Sequence, residues 1–515
     1  MDLCKYILDG LEFGFKLGFK GEVKETRPRN LLSAIKNSEK VTEAVVKELD
    51  RGHTSGPFAN PPIQQLHCSP IGAVMKKDGS CRLVMDLSQP RGCSINEGIL
   101  KEEFSVLYSK FDDAIKLVWS AGMGCYMCKV DIKHAFRLLP VHPSDWNLLG
   151  YSWDGFYFID TRLPFGLRSS PKIFNDFADL VCWICQNKYN LTSLVHYSDD
   201  FFMVCGHSFI LAKEKLNILC QAFQDMGIPL APEKIVGPTT RIPYLGIGID
   251  SMEMMMFITN EKYEELTDIL PKWSTRKSCT KQQLLSLIGK LSYAAKVVQP
   301  GRIFLRRLIH LSTTVEKLHH HVNLNMEAKA DIDWWCQFLP SWSKSTFIPE
   351  SFAISSSDLL LFTDASLNGF GAIYQNSWIQ GSFAGSALEH SIDFKELFAI
   401  VAAVMTWGTA WAGKRIIFYT DNKPITCIWQ SGSTPARDIM MLVRKLYFLA
   451  AQFGFSISLR HVMGIDNPIA DSLSRFQEER FRQLAPEADH LPTTMPGQVW
   501  TFLHSVPIPQ KRKRK

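Results

Sequence analysis

Two groups of carboxylates in this chain stand where their charge is costly. In the first, Asp131 closes the strand-like run Lys129-Val130-Asp131, and the adjacent pair Asp199-Asp200 lies between the apolar stretches 191–197 and 201–206. Two such charges about 4 Å apart repel by about 4 kcal/mol at an effective dielectric of about 20. One of them would take up a proton unless a cation offsets the repulsion, and a set of oxygen donors alone suits magnesium. Side chains alternate along a strand, so only one of the adjacent pair can face Asp131 squarely, and Asp199 is the one expected. Taken alone, Tyr197-Ser198-Asp199-Asp200 reads more readily as an Asp-rich hairpin turn.

In the second group, the apolar run 359–363 ends in Asp364 and the run 415–420 ends in Asp421. Between them, residues 392–411 read as a helix that buries Leu397, Ile400, Val401 and Val404. Glu396 sits at the edge of that face near the helix start, and Asp471 follows in Asn467-Pro-Ile-Ala-Asp471. Two strands ending in Thr-Asp, with an acid on the packed edge of the intervening helix, can converge at one end of a sheet. Four negative charges are then balanced by two Mg2+. Any one of these acids alone reads as a cap or a turn residue. The four in this order do not.

Around these acids the chain divides by pattern. Residues 1–55 form an N-terminal segment, helical from Asn30 to Asp50, and Pro57 to Pro62 breaks the chain. Short β-branched runs alternate with helices over 56–255. Ser170 to Tyr189 carries Ile173, Phe177, Leu180, Val181 and Ile184 at helical spacing, and Leu191 to Cys205 reads as two strands about a tight centre. Residues 256–345 turn helical, with Thr280 and Gln283 as a capping box ahead of Leu284, Leu287, Ile288 and Leu291. Gln299-Pro300-Gly301 is expected to stop that helix, and Arg302, Arg306 and Arg307 form a basic cluster behind it. A linker at 346–357, a compact α/β unit at 358–478 and a polar tail at 479–515 complete the chain.

The bulk numbers exclude more than they assign. A hydrophobic share of 46% and a charged share of 21% are those of ordinary globular domains with real cores. Of the net charge of +6, five units come from the terminal run Lys511 to Lys515, so overall charge is no argument for nucleic acid. That run reads equally as a nuclear localisation signal, a phosphate contact or a solvated tail, which leaves a cytoplasmic or nuclear destination. No secretory signal is expected at 1–21, and the longest apolar run, Leu397 to Ala412, is shorter than the roughly 18 residues of a span. No membrane partner is therefore expected. Thirteen scattered cysteines suit free thiols in a reducing compartment. The pairs Cys125/Cys128 and Cys182/Cys185 stand too far apart for a zinc knuckle.

Several of these stretches resemble the reverse transcriptases of retroelements. Tyr197-Ser-Asp-Asp200 resembles their Y-x-D-D box, and Lys129-Val-Asp-Ile-Lys-His-Ala-Phe136 their upstream aspartate motif. Leu163-Pro-Phe-Gly-Leu-Arg-Ser-Ser-Pro171 is similar to the L-P-F-G-L-x-x-x-P motif, and Ile242-Pro-Tyr-Leu-Gly246 to the primer-grip strand. Residues 69–79 and 82–88 resemble the fingers. All occur in the family's order, with a flavour of DIRS-like or gypsy-like elements. The second acid group is similar to the ribonuclease H fold over about 115 residues (358–478).

The resemblance implies a right-hand polymerase of fingers, α+β palm and thumb, followed by a ribonuclease H-like α/β domain. Asp131 and Asp199 would bridge two cations, with Asp200 close by and the Ile132 carbonyl as a further ligand. Arg82 and Lys76 or Lys77 would neutralise the triphosphate of a dNTP, beside Phe165 of the L-P-F-G motif. Phe136, five residues past Asp131, matches the gate that an incoming sugar meets, where an aromatic leaves no room for a 2′-hydroxyl. Asp364, Glu396, Asp421 and Asp471 match the metal-binding acids of ribonuclease H. His461 matches its mobile histidine on a glycine-bearing loop. One departure is Ser198, where the family usually has an apolar residue.

The implied activity is RNA-directed DNA synthesis on an RNA template with a DNA primer, and hydrolysis of the RNA strand of the RNA–DNA hybrid. Each centre would take two Mg2+, with Mn2+ as a substitute. The rival readings are a ribonuclease H alone and a catalytically silent nucleic-acid-binding protein. Oligomeric state is left open.

Overall fold

The computed structural model describes residues 3–75, 79–342, 344–347, 359–432 and 434–508. It divides into two compact units, Met1–Met254 and Met255–Lys515. Lys76, Lys77, most of the expected linker and the terminal basic run lie outside the described residues.

Unit one opens with α1 (Leu3–Phe13), α2 (Leu32–Lys36), α3 (Ser38–Asp50) and β1 (Thr54–Phe58). It continues through β2 (Ile71–Met75), β3 (Cys81–Met85), α4 (Phe111–Ala121), β4 (Tyr126–Asp131), β5 (Gly150–Trp153) and β6 (Phe156–Asp160). Then come α5 (Ser170–Asn187), β7 (Leu194–Tyr197), β8 (Asp200–Gly206), α6 (Phe209–Asp225), β9 (Val236–Thr239), β10 (Arg241–Tyr244) and β11 (Ile247–Asp250). The acid-bearing strands belong to a four-stranded antiparallel sheet in the order β7-β8-β4-β9. Alternate residues Phe201, Met203 and Cys205 of β8 turn to one face. There they join Ile173, Phe177 and Val181 of α5 and Leu216, Leu219 and Phe223 of α6 in a single apolar cluster. Polar ends of the strands are thus left for the site, while their middles are fixed by packing.

Two expectations change here. Helix α1 lies in a stretch where no helix is expected, although Leu3, Tyr6, Ile7 and Leu11 recur at helical spacing. Pro57 does not end the chain's extended run: β1 continues to Phe58, at the edge of the sheet β1-β6-β5, where a missing N–H is tolerated.

Unit two begins with β12 (Met255–Ile258), α7 (Asn260–Ser274), β13 (Ser278–Thr280), α8 (Lys281–Ala294), α9 (Arg306–Ser312), β14 (His321–Asn323), α10 (Met326–Ser341) and β15 (Ser345–Phe347). The capping box at Thr280 and Gln283 starts α8, whose buried stripe includes Leu284, Leu287, Ile288 and Leu291. The helix ends at Ala294, before Gln299 is reached. Arg307 is not a free basic residue: it pairs with Glu327 and with Asp331, which also pairs with Arg444 at 3.1 Å.

The rest of unit two is β16 (Leu359–Ala365), β17 (Gly369–Tyr374), β18 (Ser377–Ser382), α11 (Ile392–Trp407), β19 (Arg415–Thr420), α12 (Lys423–Ser431), α13 (Arg437–Phe453), β20 (Ser456–His461), α14 (Pro468–Ser474), α15 (Glu478–Leu484) and α16 (Gly497–Ser505). Five strands form one sheet in the order β18-β17-β16-β19-β20. β16, β17 and β18 are an antiparallel meander, and β19 and β20 run parallel to β16. Helix α11 is buried nearly all round, so the apolar run beginning at Leu397 is a core helix. None of the described helices is long and apolar enough to cross a membrane.

Candidate active sites

The first acid group is assembled by strand pairing. In the β4–β8 register Asp131 stands opposite Asp200, and in β7–β8 Tyr197 stands opposite Asp200. This leaves Ser198 and Asp199 as a two-residue turn, with Ser198 at φ +55°, a left-handed conformation unusual for a residue with a Cβ. The cross-strand partner of Asp131 is therefore Asp200, while the charge of Asp199, the acid expected to face Asp131, reaches it from the turn. Alternation does not apply to Asp199, because it belongs to the turn. The turn folds back on β4 all the same: Ile132 N donates to the Asp199 carbonyl at 3.0 Å.

Both acids act on Asp131's neighbourhood. Burial raises the Asp131 pKa, and the Asp199 charge adds to this while Lys234 opposes it. Burial, then the charges of Asp131 and Asp199, push Asp200 up to about 6 against the pull of Lys129. Lys234, which sequence reading did not single out, holds Asp131 Oδ1 at 2.7 Å. A carboxylate set that is part-buried, mutually repelling and already drawing in one cation fits a divalent metal.

The residues expected to meet the nucleotide form a connected aromatic row. Arg82 on β3 lies over the Phe165 ring, 5.3 Å from its centroid. Phe165 is 5.2 Å from Phe136, and Phe136 is 5.1 Å edge-on from Phe174. The loop carrying Phe165 is pinned by Asn96, which donates to the Gly166 carbonyl and the Ser88 hydroxyl and accepts from Arg168 N. Asn96 also escaped the sequence reading; its role depends on contacts about 70 residues away.

In the second group, carboxylate oxygens of Asp364, Glu396 and Asp421 all lie within 4.8 Å of one another. Parallel pairing of β16 and β19 brings the first and third to one end of the sheet, and α11 supplies Glu396 from the packed side. Glu396 is buried rather than at the edge of its helix face. Burial, then the charges of Asp364 and Asp421, push it up to about 9. Burial also raises Asp364 to about 6, although Ser474 donates a hydrogen bond to it. Three converging carboxylates, Asp364 and Glu396 buried and Asp421 exposed, are the donor set of a hard divalent metal.

Asp471 on α14 stands apart from that triple. Burial is outweighed by hydrogen bonds from Arg475 and Arg480, which lower its pKa, though its charge still reaches Asp364. His461 is the last residue of β20 rather than part of the following loop; its Nε2 lies 3.1 Å from the Asp421 carbonyl. Gly464 in that loop passes close by: a Cβ there would lie 3.1 Å from Asp421 Oδ2. Buried Asn467 donates to the Thr363 carbonyl at 3.0 Å, tying the loop to β16 beside Asp364.

Residues 74–249 match the family described as "Reverse transcriptase (RNA-dependent DNA polymerase)". The chain is 22% identical over 429 residues to a "Putative enzymatic polyprotein" of Cassava vein mosaic virus, with 78% of this chain and 59% of that one covered. It is 21% identical over 458 residues to the "Transposon Tf2-3 polyprotein" of Schizosaccharomyces pombe, covering 85% of this chain and 31% of the polyprotein. It thus spans only part of the length of these relatives. Among solved structures, a foamy viral protease-reverse transcriptase in complex with double-stranded DNA is similar, with a TM-score of 0.52 and 16% identity over 87% of this chain and 73% of that one. The fold is that of a right-hand polymerase, and the chain carries a reverse transcriptase domain of the kind found in retroelement and viral polyproteins.

Proposed function

We propose that the chain is an RNA-directed DNA polymerase with a fused ribonuclease H, from a DIRS-like or gypsy-like retroelement. The observation that carries the reading is the convergence of two separate carboxylate centres, one in each compact unit. At the first, Asp131, Asp199 and Asp200 would hold the cations. Divalent metal, when bound, would activate the primer 3′-hydroxyl and stabilise the leaving pyrophosphate. Lys234 neutralises Asp131 while no cation is present and would have to release it. Arg82 offers its planar donor fork to the triphosphate, and Phe165 fixes the level at which it does so. Phe136 faces the sugar.

At the second centre, Asp364, Glu396 and Asp421 would hold metal, with Asp471 joining once freed from Arg475 and Arg480. His461 is placed at Asp421 to move a proton or help product leave. Two Mg2+ per centre balance the acids, and Mn2+ would substitute. The partners are an RNA template, a DNA primer, dNTPs and the hybrid product, whose RNA strand is read through its 2′-hydroxyls. A nuclear destination rests on Lys511 to Lys515 alone.

A narrower reading, hybrid cleavage without synthesis, is favoured by one observation: among the described residues, only the second centre gathers three ligand atoms within 4.8 Å. Purified chain given Mg2+, dNTPs and a primed RNA template separates the two. Primer extension that EDTA abolishes supports the polymerase. Cleavage of a labelled hybrid without any extension supports the narrower reading, and neither activity contradicts both.

A further inference from the structure

Arg137 follows Phe136 directly, yet its guanidinium turns into the protein and its side chain is only 11% exposed. Nε and Nη2 both donate to Glu48 Oε2, at 3.2 and 2.9 Å, and Nη1 donates to Asp160 Oδ2 at 2.7 Å. Glu48 lies in the last turn of α3 and Asp160 ends β6. The same regions are tied again where Thr161 N donates to the His53 carbonyl at 2.9 Å. Burying an arginine among carboxylates costs desolvation on both sides and is sustained only by good geometry.

What this clamp holds is a strained piece of backbone. His134 and Ala135 have φ of +69° and +37°. Residues with a Cβ keep such conformations at a cost of about 1–3 kcal/mol each, and only where their surroundings over-determine them. The short turn Ala135–Leu138 that follows carries Phe136, and Arg137 N closes it by donating to the His134 carbonyl. Phe165 and Phe174 stop the Phe136 ring on two sides.

We propose that Arg137, braced by Glu48 and Asp160, is a positioning residue that locks the Phe136 ring and so sets the preference for deoxynucleotides over ribonucleotides. This rests on the polymerase reading above, in which Phe136 faces the incoming sugar. An aromatic ring excludes a 2′-hydroxyl only if it cannot retreat, and a strained turn released from its brace no longer fixes the ring. The clamp also brings α3, outside the matched residues 74–249, into the specificity machinery. Lysine keeps the charge but cannot reach both carboxylates with a planar fork.

The test uses the full chain in primer extension. It measures kcat/KM for a deoxynucleotide and the matching ribonucleotide in wild type, Arg137→Lys, Glu48→Gln, Phe136→Ala and the Phe136→Ala/Arg137→Lys double variant. Phe136→Ala should lower the deoxy-to-ribo ratio most. Arg137→Lys and Glu48→Gln should each lower it by about tenfold, mainly through better use of the ribonucleotide. In the Phe136→Ala background, Arg137→Lys should change the ratio no further. A merely structural role would reduce both efficiencies together, and an unchanged ratio in both single variants overturns the proposal. So does an equal fall in both backgrounds. Glu48→Gln lies away from the turn and keeps an acceptor, so the question survives if Arg137→Lys does not fold. Wild type that extends no primer sinks the polymerase reading itself. Wild type that extends, with a ratio insensitive to Phe136→Ala, sinks only the gate and the clamp built on it.

Discussion

Glu396 shows how much a single side chain can carry. Buried beside Asp364 and Asp421 and pushed up to about 9, it holds its proton at neutral pH when no cation is present. A divalent metal must expel that proton to bind. Affinity at the second centre should therefore climb as pH rises from about 6 towards about 9, with about one proton released per filled centre. Calorimetric titration of Mg2+ at neutral pH, in two buffers of different ionisation enthalpy, reads the release directly. A heat independent of buffer would mean that Glu396 is already ionised. The acids themselves were legible in the sequence because their cost among apolar neighbours is a local property. Their partners were not: Lys234 reaches Asp131 across 103 residues, and Arg137 reaches Glu48 across 89. No spacing rule connects such pairs. Asp200 pairs with Asp131 across the strands while the Asp199 charge reaches it from the turn, where alternation no longer sorts the two.

At the level of elements, hydrophobic period and capping marked the buried helices α5, α8 and α11, and apolar runs ending in acids marked β4, β16 and β19. The apolar period of α1 is local and legible, whereas the path of β1 through Pro57 depended on tertiary packing that no local pattern records. The seating of α14, which carries Asp471, is of the same kind. It is possible because β17 has Gly371, where a Cβ would come within 2.3 Å of Leu473 Cβ. Gly371→Ala should lift α14 from the sheet, cost about 1–3 kcal/mol as overpacking does, and weaken hybrid cleavage while sparing primer extension. Thermal melting and the two activities measured side by side check this; a stable variant with full cleavage would mean that α14 adjusts freely.

On the scale of the molecule, two compact units each contain one acid centre. Within unit two the helical region and the sheet domain are joined through Asp331 of α10, whose side chain is 1% exposed and pairs with Arg307 and with Arg444 of α13. Burial raises its pKa to about 6 despite both arginines. Asp331→Ala leaves two arginines facing each other without their shared acid. It should destabilise unit two by about 3–5 kcal/mol, the usual cost of breaking a buried pair from one side, seen as an earlier denaturant transition. An unshifted transition would show that the contact contributes nothing.

If the two centres act separately, crossed substitution pulls the two activities apart. Primer extension and hybrid cleavage are measured with Mg2+ for wild type, Asp199→Asn and Glu396→Gln, each a near-isosteric loss of one charge. Asp199→Asn should abolish extension and retain cleavage, whereas Glu396→Gln should retain extension and abolish cleavage. Loss of both activities in either variant, or of neither, would contradict their separate action.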